Sequence, residues 1–133
     1  MMNIPEINWV GFFSSTFLAI VFLQSGLDKV INYKRELGWI QQKFVKNALY
    51  HYVSSLFLVL TFFELLSGAL SLGGVIHLLT SKDPYVAMWG AWFSSLTMLM
   101  LIFGQRVTKD YSGAATLVPY FIASLIGLYS LSA

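Results

Sequence analysis

Apolar residues run along this chain in long blocks, not in short alternations. The blocks cover about 9–26, 48–72, 85–103 and 114–131. Each is long enough for a bilayer crossing, which needs roughly 20 residues of helix. None shows the period-two alternation of a strand. The pattern predicts an all-α integral membrane protein: one domain over 1–133, a four-helix bundle of four spans.

The second block raises a question of length. From Lys46 to Lys82 one charged side chain occurs, Glu64. A continuous helix over that interval would rise roughly 50 Å at about 1.5 Å per residue, against about 30 Å of hydrocarbon. Gly73-Gly74 is the expected break, because paired glycines weaken a helix. VIHLLTS would then form a turn or a short interfacial helix. Otherwise the helix tilts and extends into the interface. Pro84 suits the first turn of the third span. Pro119 lies inside the fourth and is expected to kink it.

Segment 28–46 (DKVINYKRELGWIQQKFVK) mixes charges with Val, Ile, Leu, Trp and Phe. It reads as an amphipathic stretch at the membrane surface. Basic residues set the expected orientation. Lys29, Lys34, Arg35, Lys43 and Lys46 lie between the first and second spans, and Arg106 and Lys109 between the third and fourth. Lys82 alone falls on the other side. Cationic loops stay in the cytoplasm, so both termini are expected on the non-cytoplasmic side. The N-terminus MMNIPEINWVGFF lacks a basic n-region, so the first block reads as a retained span and not a cleaved signal.

Composition narrows the chemistry. Of 133 residues, 57% are hydrophobic and 11% charged, against about 25% charged in soluble domains. The net charge of +2 does not suggest nucleic acid. There is no cysteine, which excludes disulfides, thiol redox chemistry and Cys-ligated metal. His51 and His77 fall on opposite sides, so no metal site assembles. Met98 and Met100 read as apolar fillers, and Trp9, Trp89, Trp92 and Tyr85 as packing and interface anchors.

Glu64 is the candidate site. Hydrocarbon cannot solvate a carboxylate, so it must be protonated, paired or facing a wet cavity. Gly68 is one turn away on the same face, and Ser67 lies beside them. At the inner end of the first span, Gln24 and Asp28 are one turn apart, as are Ser25 and Lys29. Lys29 is expected to snorkel to the phosphates. Turned inward, it would take Asp28 as its near partner, or Glu64 if that residue lies deep on the cytoplasmic half. Tyr120 follows Pro119 and can present a hydroxyl inside the bundle. Arg106 and Asp110 are spaced to pair, and Asp110 or Ser112 to cap the last helix. Small residues at one-turn spacing (Ser67 and Ser71, Gly90 and Ser94, Ala123 and Gly127) allow close helix approach.

SGLDKV closing the first span, ELLSGALSLGG in the second and DYSGAA before the last together resemble the DoxX family of small four-helix bacterial membrane proteins. The resemblance covers nearly the whole chain. Gly26 and Lys29 match the family's G-x-x-K, and Glu64, Gly68 and Gly74 its E-x-x-x-G segment. The Arg that often opens the family's first span has no counterpart here. The resemblance implies a bacterial inner-membrane protein, an accessory subunit of a respiratory or redox complex that contacts quinone or lipid. It also leaves open a quinone-binding oxidoreductase with Lys29 and Glu64 at the quinone. A small oligomeric transporter using Glu64 is the remaining expectation. The expected partners are the bilayer and a membrane protein or a second copy of the chain. No covalently bound cofactor is expected.

Overall fold

The computed structural model describes residues 7–132. Residues 1–6, on which part of the signal-peptide argument rests, lie outside them. Five α-helices follow in order: α1 Trp9–Ile31, α2 Tyr33–Lys43, α3 Val53–Thr80, α4 Tyr85–Val107 and α5 Tyr111–Ser132. A 3-10 turn, Tyr50–Tyr52, leads into α3. Four of the helices, all but α2, are long and apolar enough to cross a membrane. Phe13, Ile20, Phe62, Ile76, Leu99, Phe103 and Ile126 are exposed on them. Such a belt is stable only against lipid, and the protein is a multi-pass membrane protein.

The four long helices form an up-down bundle in which α1 packs on α3, α3 on α4, α4 on α5 and α5 back on α1. Leu18, Phe22, Leu78, Ala87, Ala91, Met98 and Leu131 fill the centre. Lipid tails are as apolar as this core, so burial alone cannot hold the helices together. Close backbone approach and hydroxyl contacts do. Ser67 meets Thr97 at 3.1 Å between α3 and α4. Ser95 donates to Ser124 at 3.0 Å between α4 and α5. Asn8 and Ser130 exchange two hydrogen bonds and tie the start of α1 to the end of α5.

The expected break at Gly73-Gly74 does not occur. α3 runs unbroken for 28 residues, about 42 Å at about 1.5 Å per residue. A broken turn there would expose unpaired peptide groups to lipid. Gly74 has a different task. A β-carbon on it would collide with the backbone of Ala87, so it lets α3 and α4 touch just before their tight connection. Gly90 does the same one turn deeper, against the Ser71 backbone. α5 continues through Pro119. The first span also runs further than the apolar block, through Asp28 and Lys29 to Ile31. The amphipathic stretch is therefore shorter than 28–46, with its helical part in α2.

The α3–α4 and α4–α5 connections each turn through a lysine with positive φ, Lys82 at 59° and Lys109 at 62°. That backbone favours glycine. Lys34, Arg35, Lys43, Lys46, Arg106 and Lys109 gather at the end of the bundle that carries α2.

Candidate functional site

Two glycines decide where the charged groups meet. On α1, Gly26 receives Leu65 of α3; on α3, Gly68 receives Leu23 of α1, with the Leu23 backbone nitrogen 2.9 Å from where a β-carbon would sit. These reciprocal notches bring α1 and α3 together beside Glu64. Glu64 is 1% exposed and Lys29 is 8% exposed, and they face each other across the seam.

Lys29 Nζ lies 2.9 Å from Glu64 Oε2 and donates to Oε1 at 3.3 Å. Ser25 Oγ donates to the same Oε1 at 2.7 Å and accepts from Lys29 Nζ at 3.0 Å. The Oε2 contact is electrostatic, without hydrogen-bond alignment, so Oε2 has no directed donor. The result is a closed triangle of ammonium, hydroxyl and carboxylate within the bundle. The ammonium matches the buried carboxylate, the condition for a charge to persist there.

Lys29 therefore turns inward instead of snorkelling. The ion pair with Glu64 supplies what the phosphates would have. Asp28, expected as the near partner, is exposed and points away; as its neighbour in a helix it leaves on another face. Tyr120 is half-buried and packs against Phe17 in a tilted arrangement, with ring centroids 5.6 Å apart, so α5 keeps it with the aromatic core and away from the triangle. Gly68 stands at the triangle as a spacer, not a ligand. His51 and His77 are exposed, and no cluster of three potential metal-ligating His, Cys, Asp or Glu occurs among the described residues.

A cavity of about 680 Å³ opens beside the triangle, within the usual range for small-molecule sites. Its floor and walls come from α3 and α4, including Val53, Phe57, Leu60 and Met100, and α2 covers it with Glu36, Trp39, Ile40 and Lys43. Lys29 belongs to both the triangle and the cavity wall. Apart from Lys29, Glu36 and Lys43, and Gln105 and Thr108 at the α4 end, the lining is apolar.

α2 is held over this cavity by a second polar cluster. Lys43 Nζ donates to Asp110 Oδ2 at 2.9 Å and to Gln105 Oε1 at 3.4 Å, and it sits 4.0 Å from the Trp39 ring centroid. Asn47 Nδ2 donates to the Val107 carbonyl at 3.2 Å. Asp110 Oδ1 accepts from Gly113 N at 3.0 Å and so caps α5. Arg106, the expected partner of Asp110, lies over Tyr111 instead, 4.5 Å from the ring. Sequence reading missed the cavity and this clamp, because Lys43 and Asp110 are 67 positions apart. The one local signal was the turn spacing of Trp39 and Lys43 in α2.

The hydrogen bond from Lys43 holds the Asp110 carboxyl below its ordinary value of 3.8, helped by the Gly113 amide. A depressed acid stabilises the fold above the unfolded value and loses that contribution as pH falls through the folded one. The clamp should therefore hold at neutral pH and release only as pH falls below 3.8. Fluorescence of Trp39, in a variant with the other three tryptophans replaced by Phe, should report that release. Asp110→Asn should show the released signal at neutral pH.

No family model, curated protein or solved structure matches the chain.

Proposed function

We propose that this multi-pass protein holds a lipid-like molecule in the cavity beneath α2 and serves as an accessory subunit of a redox or respiratory membrane complex. The cavity carries the first half of this reading. It is apolar, it lies at one end of the spans, and its wall includes one buried ammonium that is already neutralised by Glu64. Such a site suits a molecule with an apolar tail and a polar head, the class that contains membrane lipids and quinones. The resemblance to the DoxX family supports the second half. The bacterial inner membrane is the location that resemblance implies. The basic end then faces the cytoplasm and both termini face outward. The chain has no cysteine, so single cysteines replacing Lys34 and Lys82 give a direct check. A membrane-impermeant maleimide applied to intact cells should label the second and spare the first.

A second reading, a quinone-binding oxidoreductase, gains support from the sharing of Lys29 between the triangle and the cavity. A quinone oxygen in the cavity would find an N–H donor on a residue that is electrostatically tied to a carboxylate. The transporter reading finds less. Glu64 is 1% exposed and closed into its pair with Lys29, which leaves the carboxylate less free to take up and release a transported ion.

Purification in a mild detergent with identification of bound lipids, quinones and proteins tests the proposal. A retained lipid-like molecule and a stoichiometric redox subunit are expected. Leu60→Trp, which narrows the cavity, should lower retention by about tenfold. Retention of neither molecule nor partner, or full retention in the narrowed variant, would overturn it. Quinone reduction by the purified chain alone would establish the second reading.

A further inference from the structure

The charges around the cavity are unevenly matched. Lys29 pairs with Glu64 and Lys43 with Asp110, both at 2.9 Å. Neither acid lines the cavity; both lysines do. Glu36 also lines it, and among the described residues its one ion-pair contact is the adjacent Arg35 at 3.8 Å, on a side chain 72% exposed. An exposed neighbour at that distance neutralises little. The under-compensated charge at the cavity is therefore negative. An occupant should bring a cation for Glu36; the two lysines, each already paired with an acid, can add a contact to a phosphate but leave Glu36 unmatched by a purely anionic head.

The opening points the same way. Leu56, Leu99 and Phe103 line the cavity and are also 45%, 51% and 62% exposed on the outer faces of α3 and α4. The cavity is thus continuous with the lipid-facing surface between these helices, while α2 covers its polar end. A molecule resident in the bilayer can enter sideways and leave its chains in the hydrocarbon. On α2, Glu36 and Lys43 are two turns apart on one face, about 10 Å along the axis. Gln105 turns its oxygen to Lys43, which leaves its amide NH2 as a donor.

We infer that the cavity takes a zwitterionic phospholipid with a primary ammonium head from the surrounding leaflet, its ammonium on Glu36, its phosphate by Lys43 and the Gln105 amide, and its chains leaving between α3 and α4. The inference rests on the cavity reading above and names the class of molecule for it. A primary ammonium donates hydrogen bonds to Glu36; a trimethylated one cannot, and charge-assisted bonds of this kind are the stronger ones.

The test uses the full chain in detergent with phosphatidylethanolamine, phosphatidylcholine and phosphatidylglycerol of identical acyl chains, read by native mass spectrometry. Phosphatidylethanolamine should be retained about tenfold better than either competitor, the discrimination expected of one hydrogen bond to a charged group. Glu36→Gln should bring the three to parity, and Lys34→Gln, outside the cavity, should keep the preference. Equal retention of all three lipids, a preference for phosphatidylglycerol, or a preference that survives Glu36→Gln overturns the head-group assignment and leaves the cavity reading standing. No lipid or quinone retained at all overturns both.

Discussion

Replacing Lys29 by Ala should destabilise the bundle by about 3–5 kcal/mol, the usual cost of leaving a buried charge without its partner. Glu64 is 1% exposed, and among the described residues its carboxylate draws on two groups, Lys29 and Ser25. Truncating the lysine leaves the carboxylate one hydroxyl donor and no countercharge. Glu64→Ala strands the ammonium in the same way, although the lysine's longer stem can carry it toward the interface, so the loss should be smaller. The double variant Lys29→Met with Glu64→Leu removes both charges and fills the space with apolar side chains. Such exchanges are often neutral or stabilising, and unfolding in detergent should show most of the loss recovered. That double variant separates architecture from function. If it folds well and retains the same bound molecules and partners as the parent, the pair serves packing alone. Loss of binding in a stable double variant would place the Lys29–Glu64 pair in the site.

Gly74→Val should have the second large effect, since it inserts a branched side chain where α3 meets the backbone of Ala87. Overpacking costs typically about 1–3 kcal/mol and occasionally more. The upper end is expected here, because the obstacle is main chain held in a helix and not a flexible side chain. Gly68→Val should be nearly as damaging, against the Leu23 backbone, and should also pull the Lys29–Glu64 pair apart. Gly38→Ala is the control. A β-carbon at Gly38 meets nothing within 4 Å, and alanine is the better helix former by about 1 kcal/mol. A series of thermal unfolding curves in one detergent ranks these variants. Similar midpoints for Gly74→Val and Gly38→Ala would show that the α3–α4 contact is not tight.

The architecture was legible in the sequence for a simple reason. A helix that meets lipid must be apolar around most of its circumference, and that requirement leaves blocks visible without knowledge of any neighbour. Small residues at turn spacing marked the contact faces in the same way. Ser67, Ser71, Gly90, Ser94 and Gly127 are buried, and Ala123 is half-buried. Local reasoning failed where the meaning of a residue depends on what lies opposite. Gly73-Gly74 looked like a break because glycine lowers helix propensity, yet lipid penalises broken backbone more heavily, and Gly74 serves the contact with α4. Asp28 looked like the partner of Lys29 because it is adjacent in sequence. Adjacent helical residues diverge by about 100°, so a residue 35 positions away took its place.

The number of spans, membrane embedding, the lone intramembrane carboxylate and the clustering of basic residues at one end were determined by the sequence alone. Each follows from the cost of placing charge or unpaired backbone in hydrocarbon, which acts on residues one at a time. The Lys29–Ser25–Glu64 triangle, the Lys43–Asp110 clamp and the cavity beneath α2 were decided only by the tertiary structure. They depend on which helix faces meet and how closely, and glycine notches such as Gly26 and Gly68 set that distance between side chains far apart in the chain.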